Sequence, residues 1–211
     1  MPILPLSVYL LALWAGCGRE ERFQLSPDLG RGLPPADSIR TILNWLSQQK
    51  SYEAETLRLH YMYEYIRTLA RQKPDSLPAL VQELRSWAQK SQYLLGEGVA
   101  ALGEAVRWQR QRQYDSALSR AQTALRIFQE KQRSDYEGKT YNLIGLIYDD
   151  QGQYAKALEA YQKALTIFER IGNQEGIATL YNNIGPLHRA QGRYAEALES
   201  YQKALAIYER N

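Results

Sequence analysis

One cysteine, Cys17, is all the sulfur nucleophile this 211-residue chain offers. A single thiol excludes an intrachain disulfide, and thiolate-rich metal centres need more. Histidine is nearly as scarce. His60 and His188 are far apart and have no cysteine or metal-ligand spacing beside them. His60 stands among aromatics and reads as packing. A phosphate-cradling loop is missing too: Gly16-x-Gly18, Gly30-x-Gly32 and Gly96-x-Gly98 lack the rest of any nucleotide motif. Asp149 and Asp150 are adjacent, so on a helix they point about 100° apart and make a poor acid/base pair. No catalytic residue, metal or cofactor is therefore expected. Charge of one sign is also lacking. The formal net charge is +3, and Lys and Arg alternate with Asp and Glu along the helices. That pattern is a solvated face and not a nucleic-acid surface.

Long hydrophobic runs are limited to the start. Met1–Gly16 is apolar apart from Ser7 and too short to span a bilayer comfortably. Residues 1–17 read as the apolar core of a secretory signal peptide. Leu13-Trp14-Ala15-Gly16-Cys17 is similar to a bacterial lipobox, which makes Cys17 a lipidation candidate. Trp14 stands where leucine is usual, and no Lys or Arg precedes the run. The expectation is an exported protein, anchored through lipid or periplasmic. The competing reading is a cytoplasmic protein with an apolar N-terminus. Residues 18–36, with Pro27, Gly30, Gly32, Pro34 and Pro35, read as a linker.

What the chain has in quantity is repetition. Tyr141–Ile171 (YNLIGLIYDDQGQYAKALEAYQKALTIFERI) and Tyr181–Asn211 (YNNIGPLHRAQGRYAEALESYQKALAIYERN) are identical at well over half of their positions. Their offset is 181 − 141 = 40. A period of this size indicates stacked helical units. Tyr141, Ile144, Gly145 and Tyr148 share one helical face. Gly152 ends that helix, because glycine enters the left-handed region cheaply. Tyr154, Ala157, Leu158, Tyr161, Ala164, Leu165 and Phe168 repeat the spacing on a second helix, which Gly172-Asn173 stops. Small residues at 145, 157 and 164 let the two helices approach closely. Neither helix buries its stripe alone, so copies must stack.

The pattern resembles the tetratricopeptide repeat. Tyr141, Gly145, Tyr148, Gly152, Tyr154, Ala157, Tyr161 and Ala164 match that family's motif. So do Tyr181, Gly185, Gly192, Tyr194, Ala197, Tyr201 and Ala204, with His188 in an aromatic slot. The long period is similar to that of kinesin light chains and of many bacterial, especially cyanobacterial, scaffold proteins. The fold class implied is an all-α, right-handed superhelical solenoid of antiparallel helix pairs. Three units are expected at 98–137, 138–177 and 178–211. In the first, Ala101, Ala105 and Arg112 replace the motif's tyrosine and glycines.

Upstream, 37–97 reads as helical. Asp37 or Ser38 caps one helix, a second runs from about Tyr52 to Gln72, and Pro78 opens a third. The region is either a diverged repeat pair or an N-terminal cap. Gly96 and Gly98 mark its border with the repeats. Ser134-Asp135-Tyr136-Glu137 resembles a capping box. Pro186 falls inside a helix, removes a backbone donor and clashes with the Asn182 carbonyl, which predicts a kink or an early end.

The resemblance implies a concave groove lined by the first helix of each pair, which takes a protein or extended peptide. Family groove positions fall on Lys139, Asn142, Leu143, Leu146, Asp149 and Asp150. In the last unit they fall on Thr179, Asn182, Asn183, Pro186 and Arg189. Asn183 takes the slot where the family holds a ligand backbone. A side-chain amide suits that role, since it both donates and accepts. Structural bonds between helices are the competing role for Asn142 and Asn182. The last helix keeps its apolar face, so a cover is expected: further repeats, another domain, or end-to-end pairing of two chains. Two functions follow from the resemblance. One is a non-enzymatic protein-binding scaffold. The other is the regulatory half of a truncated signalling enzyme such as a CHAT-type protease.

Overall fold

The computed structural model describes residues 52–72, 74–90 and 92–210. The leader, Cys17, the 18–36 linker and the helix expected after Asp37 lie outside the described residues. The chain divides between Leu57 and Arg58, and the unit Arg58–Asn211 carries the repeats. The elements are α1 (Tyr52–Gln72), a 3-10 turn (Pro74–Ser76), α2 (Leu77–Lys90), α3 (Leu94–Arg110), α4 (Tyr114–Glu130), α5 (Ser134–Asp150), α6 (Tyr154–Ile171), α7 (Gln174–Ala190) and α8 (Tyr194–Tyr208). The described residues form no strand. The all-α expectation holds, with α3/α4, α5/α6 and α7/α8 as antiparallel pairs. Among the described residues no helix is long and apolar enough to cross a membrane.

Turn geometry sets the register. Positive φ occurs at Gln92, Arg112, Gln132, Gly152, Gly172 and Gly192. These positions stand half a period apart, since 112 − 92 and 132 − 112 both equal 20, and the series continues unbroken to 192. One left-handed residue therefore reverses the chain after each helix from α2 to α7. Gly172 is such a C-cap, and Asn173 at once caps α7, its side chain accepting from the Gly176 backbone N–H at 2.8 Å. Glycine tolerates this conformation and the three polar residues only endure it, at about 1 kcal/mol each. The turn survives where the sequence motif has eroded.

The same period places the upstream helices. α2 ends at Lys90, one full period before Glu130 ends α4. Its buried Leu77, Val81, Leu84 and Ala88 stand one period before Ala117, Ala121, Ala124 and Phe128, also buried. α2 thus occupies a second-helix position, and α1 precedes it where a first helix would stand.

Close packing explains the small residues. A Cβ on Gly145 would come within 2.4 Å of the Tyr161 ring, so only glycine lets α5 rest on α6. The Phe168 ring is wedged in the same way between Gly138 of α5 and Gly176 of α7. Around these contacts lies one core of Ala157, Tyr161, Ala164, Leu165, Phe168, Ile177, Leu180, Ile184 and Leu187.

Several expectations need correction. Gly96 and Gly98 mark no border; both are buried inside α3, where the Phe128 ring lies 3.0 Å from a Cβ on Gly98. Glycine serves there for approach and not as a breaker. Ser134 does not cap α5. The N-cap is Arg133, whose carbonyl takes the Tyr136 and Glu137 N–H groups, and no side chain caps it. The cap therefore falls one position ahead of the capping-box register. The first helix of each pair opens at Leu94, Ser134 and Gln174, ahead of the unit starts drawn at 98, 138 and 178. α7 does not end early at Pro186; it continues to Ala190. The core contacts of Leu187 and Ile184 hold both sides of the proline in place.

Candidate functional site

α5 and α7 stand side by side, one period apart in register, and both carry the implied groove positions. Their sequence puts apolar residues on the side facing α6 and α8. The opposite side is left for polar groups. The structure joins two of the expected amides: Nδ2 of Asn183 donates to Oδ1 of Asn142 at 2.9 Å. Both residues are half-buried. The pair uses one donor and one acceptor, whether both amides stand as placed or both are turned. One NH2 group and one carbonyl oxygen therefore remain for something else.

Asn182 is not part of that pair. It is exposed, and its Nδ2 donates to the Tyr208 hydroxyl of α8 at 3.4 Å. It holds the position of Asn142 in the next unit, on the side that would meet a following repeat. The structural role weighed for the asparagines is present between Asn142 and Asn183, which tie two units together and keep one NH2 group and one carbonyl oxygen unused.

Leu143 is buried, and Leu146 packs half-buried against the core beneath. Pro186 and Thr179 are half-buried. The Thr179 hydroxyl is taken up by the Glu175 carbonyl one turn back, at 2.9 Å. Arg189 is exposed. Asp150 accepts from Nε2 of Gln109 on α3 at 2.9 Å, so it bridges units. Asp149 is half-buried, and burial followed by the neighbouring Asp150 charge holds its carboxyl above the usual carboxylate range.

Lys139 is half-buried and turned towards two rings. Its ammonium lies 4.5 Å from the Tyr63 ring centroid and 4.6 Å from that of Tyr136. Burial lowers its pKa. Tyr63 belongs to α1, so α1 covers part of the face that carries the implied groove positions. Tyr61 and Tyr65 of α1 are buried. His60 is exposed on the residue average, yet its ring packs edge-on against that of Tyr61 at 6.0 Å and burial lowers its pKa, so it packs at the edge of the aromatic cluster and not in the core. The contribution of α1 to this face is new with the structure. A signal for it exists in α3, where Gly96, Gly98, Ala100, Ala101, Gly103 and Ala105 leave both sides open to close neighbours. Among the described residues no cluster of His, Cys, Asp or Glu could hold a metal ion.

The tetratricopeptide repeat family profile matches residues 101–170 and again 136–210. BtubC (BKLC) from P. vanneervenii is similar in structure, with a TM-score of 0.56 and 29% identity over 67% of this chain and 57% of that one. Aspartyl phosphate phosphatase F from Bacillus subtilis matches with a TM-score of 0.60 and 18% identity, over 82% of this chain and 45% of that one. MamA matches with a TM-score of 0.50 and 20% identity, over 82% of this chain and 88% of that one. The last two likenesses concern the fold alone. This chain spans about half the length of the first two relatives. Among curated proteins none matches it in sequence.

Proposed function

Because this chain belongs to the tetratricopeptide repeat family, we propose that it is a protein-binding scaffold. It takes an extended peptide segment of a partner protein across α5 and α7. The observation that supports this reading most is the Asn142–Asn183 pair. An extended backbone offers alternating N–H and C=O groups, and the spare carbonyl and NH2 of the pair answer one of each. Leu146 and Pro186 supply an apolar floor beside it. Asp149, Asp150 and Arg189 give the rim both signs of charge, so the groove selects by backbone and shape more than by net charge.

The test is selection of a displayed random-peptide library on the full chain. Asn142→Leu/Asn183→Leu, checked for equal helicity by circular dichroism, serves as control. Leucine keeps the shape and removes the amides. Peptides that hold the natural chain at least tenfold better than the control support the site. Peptides that bind both alike place recognition elsewhere.

A second reading rests on α8. Tyr194, Leu198 and Leu205 on its outer side are more than half exposed. A surface of this kind suits a chain that works as the recognition part of a larger signalling enzyme or assembly. Export and lipid attachment at Cys17 remain separate proposals, tested by mass spectrometry of Cys17 in membrane fractions.

A further inference from the structure

We infer that the α3 end of the concave face is a helix-receiving surface and that α1 is its displaceable occupant. The inference rests on the groove reading for its consequence, since α1 then competes with any ligand that extends past Asn142 towards α3.

The contacts define the seat. Ile66 of α1 meets α3 at Gly103, where a Cβ would lie 3.0 Å from Ile66 Cδ1. Tyr63 reaches α5, its ring 5.8 Å from that of Tyr136 at 85° and 4.5 Å from the Lys139 ammonium. Edge-to-face rings and an ammonium over an aromatic face are both attractive arrangements. Burial pushes the Tyr63 phenol up to about 12.

Exposure along the face runs in the same direction. Val99 and Leu102 of α3 stand one period before Lys139 and Asn142, and both are buried. Lys139 and Asn142 of α5 are half-buried, and Asn182 of α7 is exposed. The face is therefore closed at α3 and half-closed at α5, and on α7 Thr179 is half-buried while Asn182 is exposed. Lys139 lies one helical turn, about 5 Å, before Asn142. A peptide seated on the amide pair and running towards α3 meets Tyr63 within about two residues. It must stop there or lift α1.

The chemistry suits displacement. Aromatic packing and one cation–π pair hold Tyr63 to α5, and the same Lys139 and Tyr136 would serve an incoming aromatic side chain. Leu59, Met62 and Ile66 of α1 are buried as well, and in cis α1 has an effective concentration on the order of millimolar, so a ligand must compete with both to open the seat.

Native-state hydrogen exchange on the full chain tests this without any ligand. If α1 is displaceable, its amides exchange at least tenfold faster than those at the centres of α5 and α6, through an opening of its own. Lys139→Gln, which removes the charge and shortens the side chain, then speeds α1 exchange further and leaves α6–α8 unchanged. Overturning results are α1 amides exchanging at the rate of α5 and α6, or Lys139→Gln speeding every helix together. Either makes α1 an integral part of one cooperative unit. A second arm uses a fluorescent peptide of residues 52–72. It should bind the Tyr63→Ala full chain at least tenfold better than the natural chain; equal binding to both overturns the proposal. Neither arm depends on Asn142 or Asn183, so failure of the amide site would leave these outcomes unaffected.

Discussion

Tyr161 and Tyr201 occupy the same slot in successive units, yet the first is 0% exposed and the second 37%. Each ring lies against a glycine, Gly145 or Gly185, within 2.6 Å of where a Cβ would be. The difference lies in the next element. α7 packs on α6, whereas α8 has no further helix against it among the described residues. Nearly identical local sequence therefore gives different burial, and the value of a repeat residue is set by its neighbours. A similar contrast separates α3/α4 from α5/α6. The turns are alike, but the first pair has lost the motif and gained small residues along α3.

The largest expected effect breaks the Tyr161/Tyr201 comparison. Tyr161→Ala should cost about 3–5 kcal/mol, as loss of a fully buried aromatic does. Tyr201→Ala should cost less than half of that by the same reasoning. Urea unfolding of the two variants measures both. Equal losses would mean that the outer face of α8 is covered in solution. The Tyr161 hydroxyl is buried without a hydrogen-bond partner, and burial holds its pKa well above that of an ordinary phenol. Tyr161→Phe should therefore leave stability equal or higher, because it removes a polar group that has no compensation.

Next come the turns. Arg112 and Gln132 hold φ of 57° and 53°, and Gly152 holds 70°. Arg112→Gly should stabilise by up to about 1 kcal/mol, and Gly152→Ala should destabilise by about the same. The change at Gly152 alters no core contact, since nothing lies within 4 Å of a Cβ there. If Arg112→Gly gives no gain in thermal midpoint, the Arg112 side chain contributes something that offsets its strain.

The eroded region also has a device of its own. Glu104 of α3 pairs with Arg85 of α2 at 3.0 Å and Arg120 of α4 at 2.9 Å. Ile144 and Ile184 stand at the matching positions of α5 and α7. Both arginines are well exposed, which screens the pairs, so Glu104→Gln should cost roughly 0.5–1 kcal/mol. The loss should shrink in 1 M salt, where the Debye length is about 3 Å. Salt-independent loss would indicate a packing role instead.

These contrasts show which parts were legible in the sequence. The period of 141–211 sufficed for the helix pairs, the close approach at Gly145 and the left-handed turns at Gly152 and Gly172, because each is a local rule repeated. Tyr52–Gln72 was readable from its apolar spacing and from the break at Lys73-Pro74. The seating of α1 was not, because Tyr63 meets Tyr136 and Lys139 from a distant part of the chain and no spacing rule reaches that far. The capping box at Ser134 failed because two overlapping cap registers fit the same letters, and backbone bonds to Arg133 decide between them. At the groove the residue types were legible, but their partners were not: Asn142 could be placed on a face, and only coordinates join it to Asn183.

The smallest expected effect concerns His188, which stands where α5 has Tyr148. Nδ1 of His188 is buried without a partner. Burial, then Arg193, lowers its pKa from 6.5. Because the folded value lies below the unfolded one, the unfolded chain takes up the proton first as pH falls. The stabilising contribution of neutral His188 is therefore complete above about pH 6.5 and is lost as pH drops from there towards the folded value. Asp149 has the opposite sign, since a raised carboxyl favours the folded state as pH falls, but it acts in the carboxylate range below. Between pH 7.5 and 5.5 His188 and His60 dominate; His60 reaches solvent, yet desolvation of its ring is the first cause that lowers it as well. His188→Tyr restores the aromatic of the other unit and should flatten the fall in urea midpoint between those two values, while His60→Gln accounts for the remaining slope. A His188→Tyr profile as steep as that of the natural chain would mean that the imidazole is already hydrated at Nδ1, with water entering beside α8 at its uncovered face.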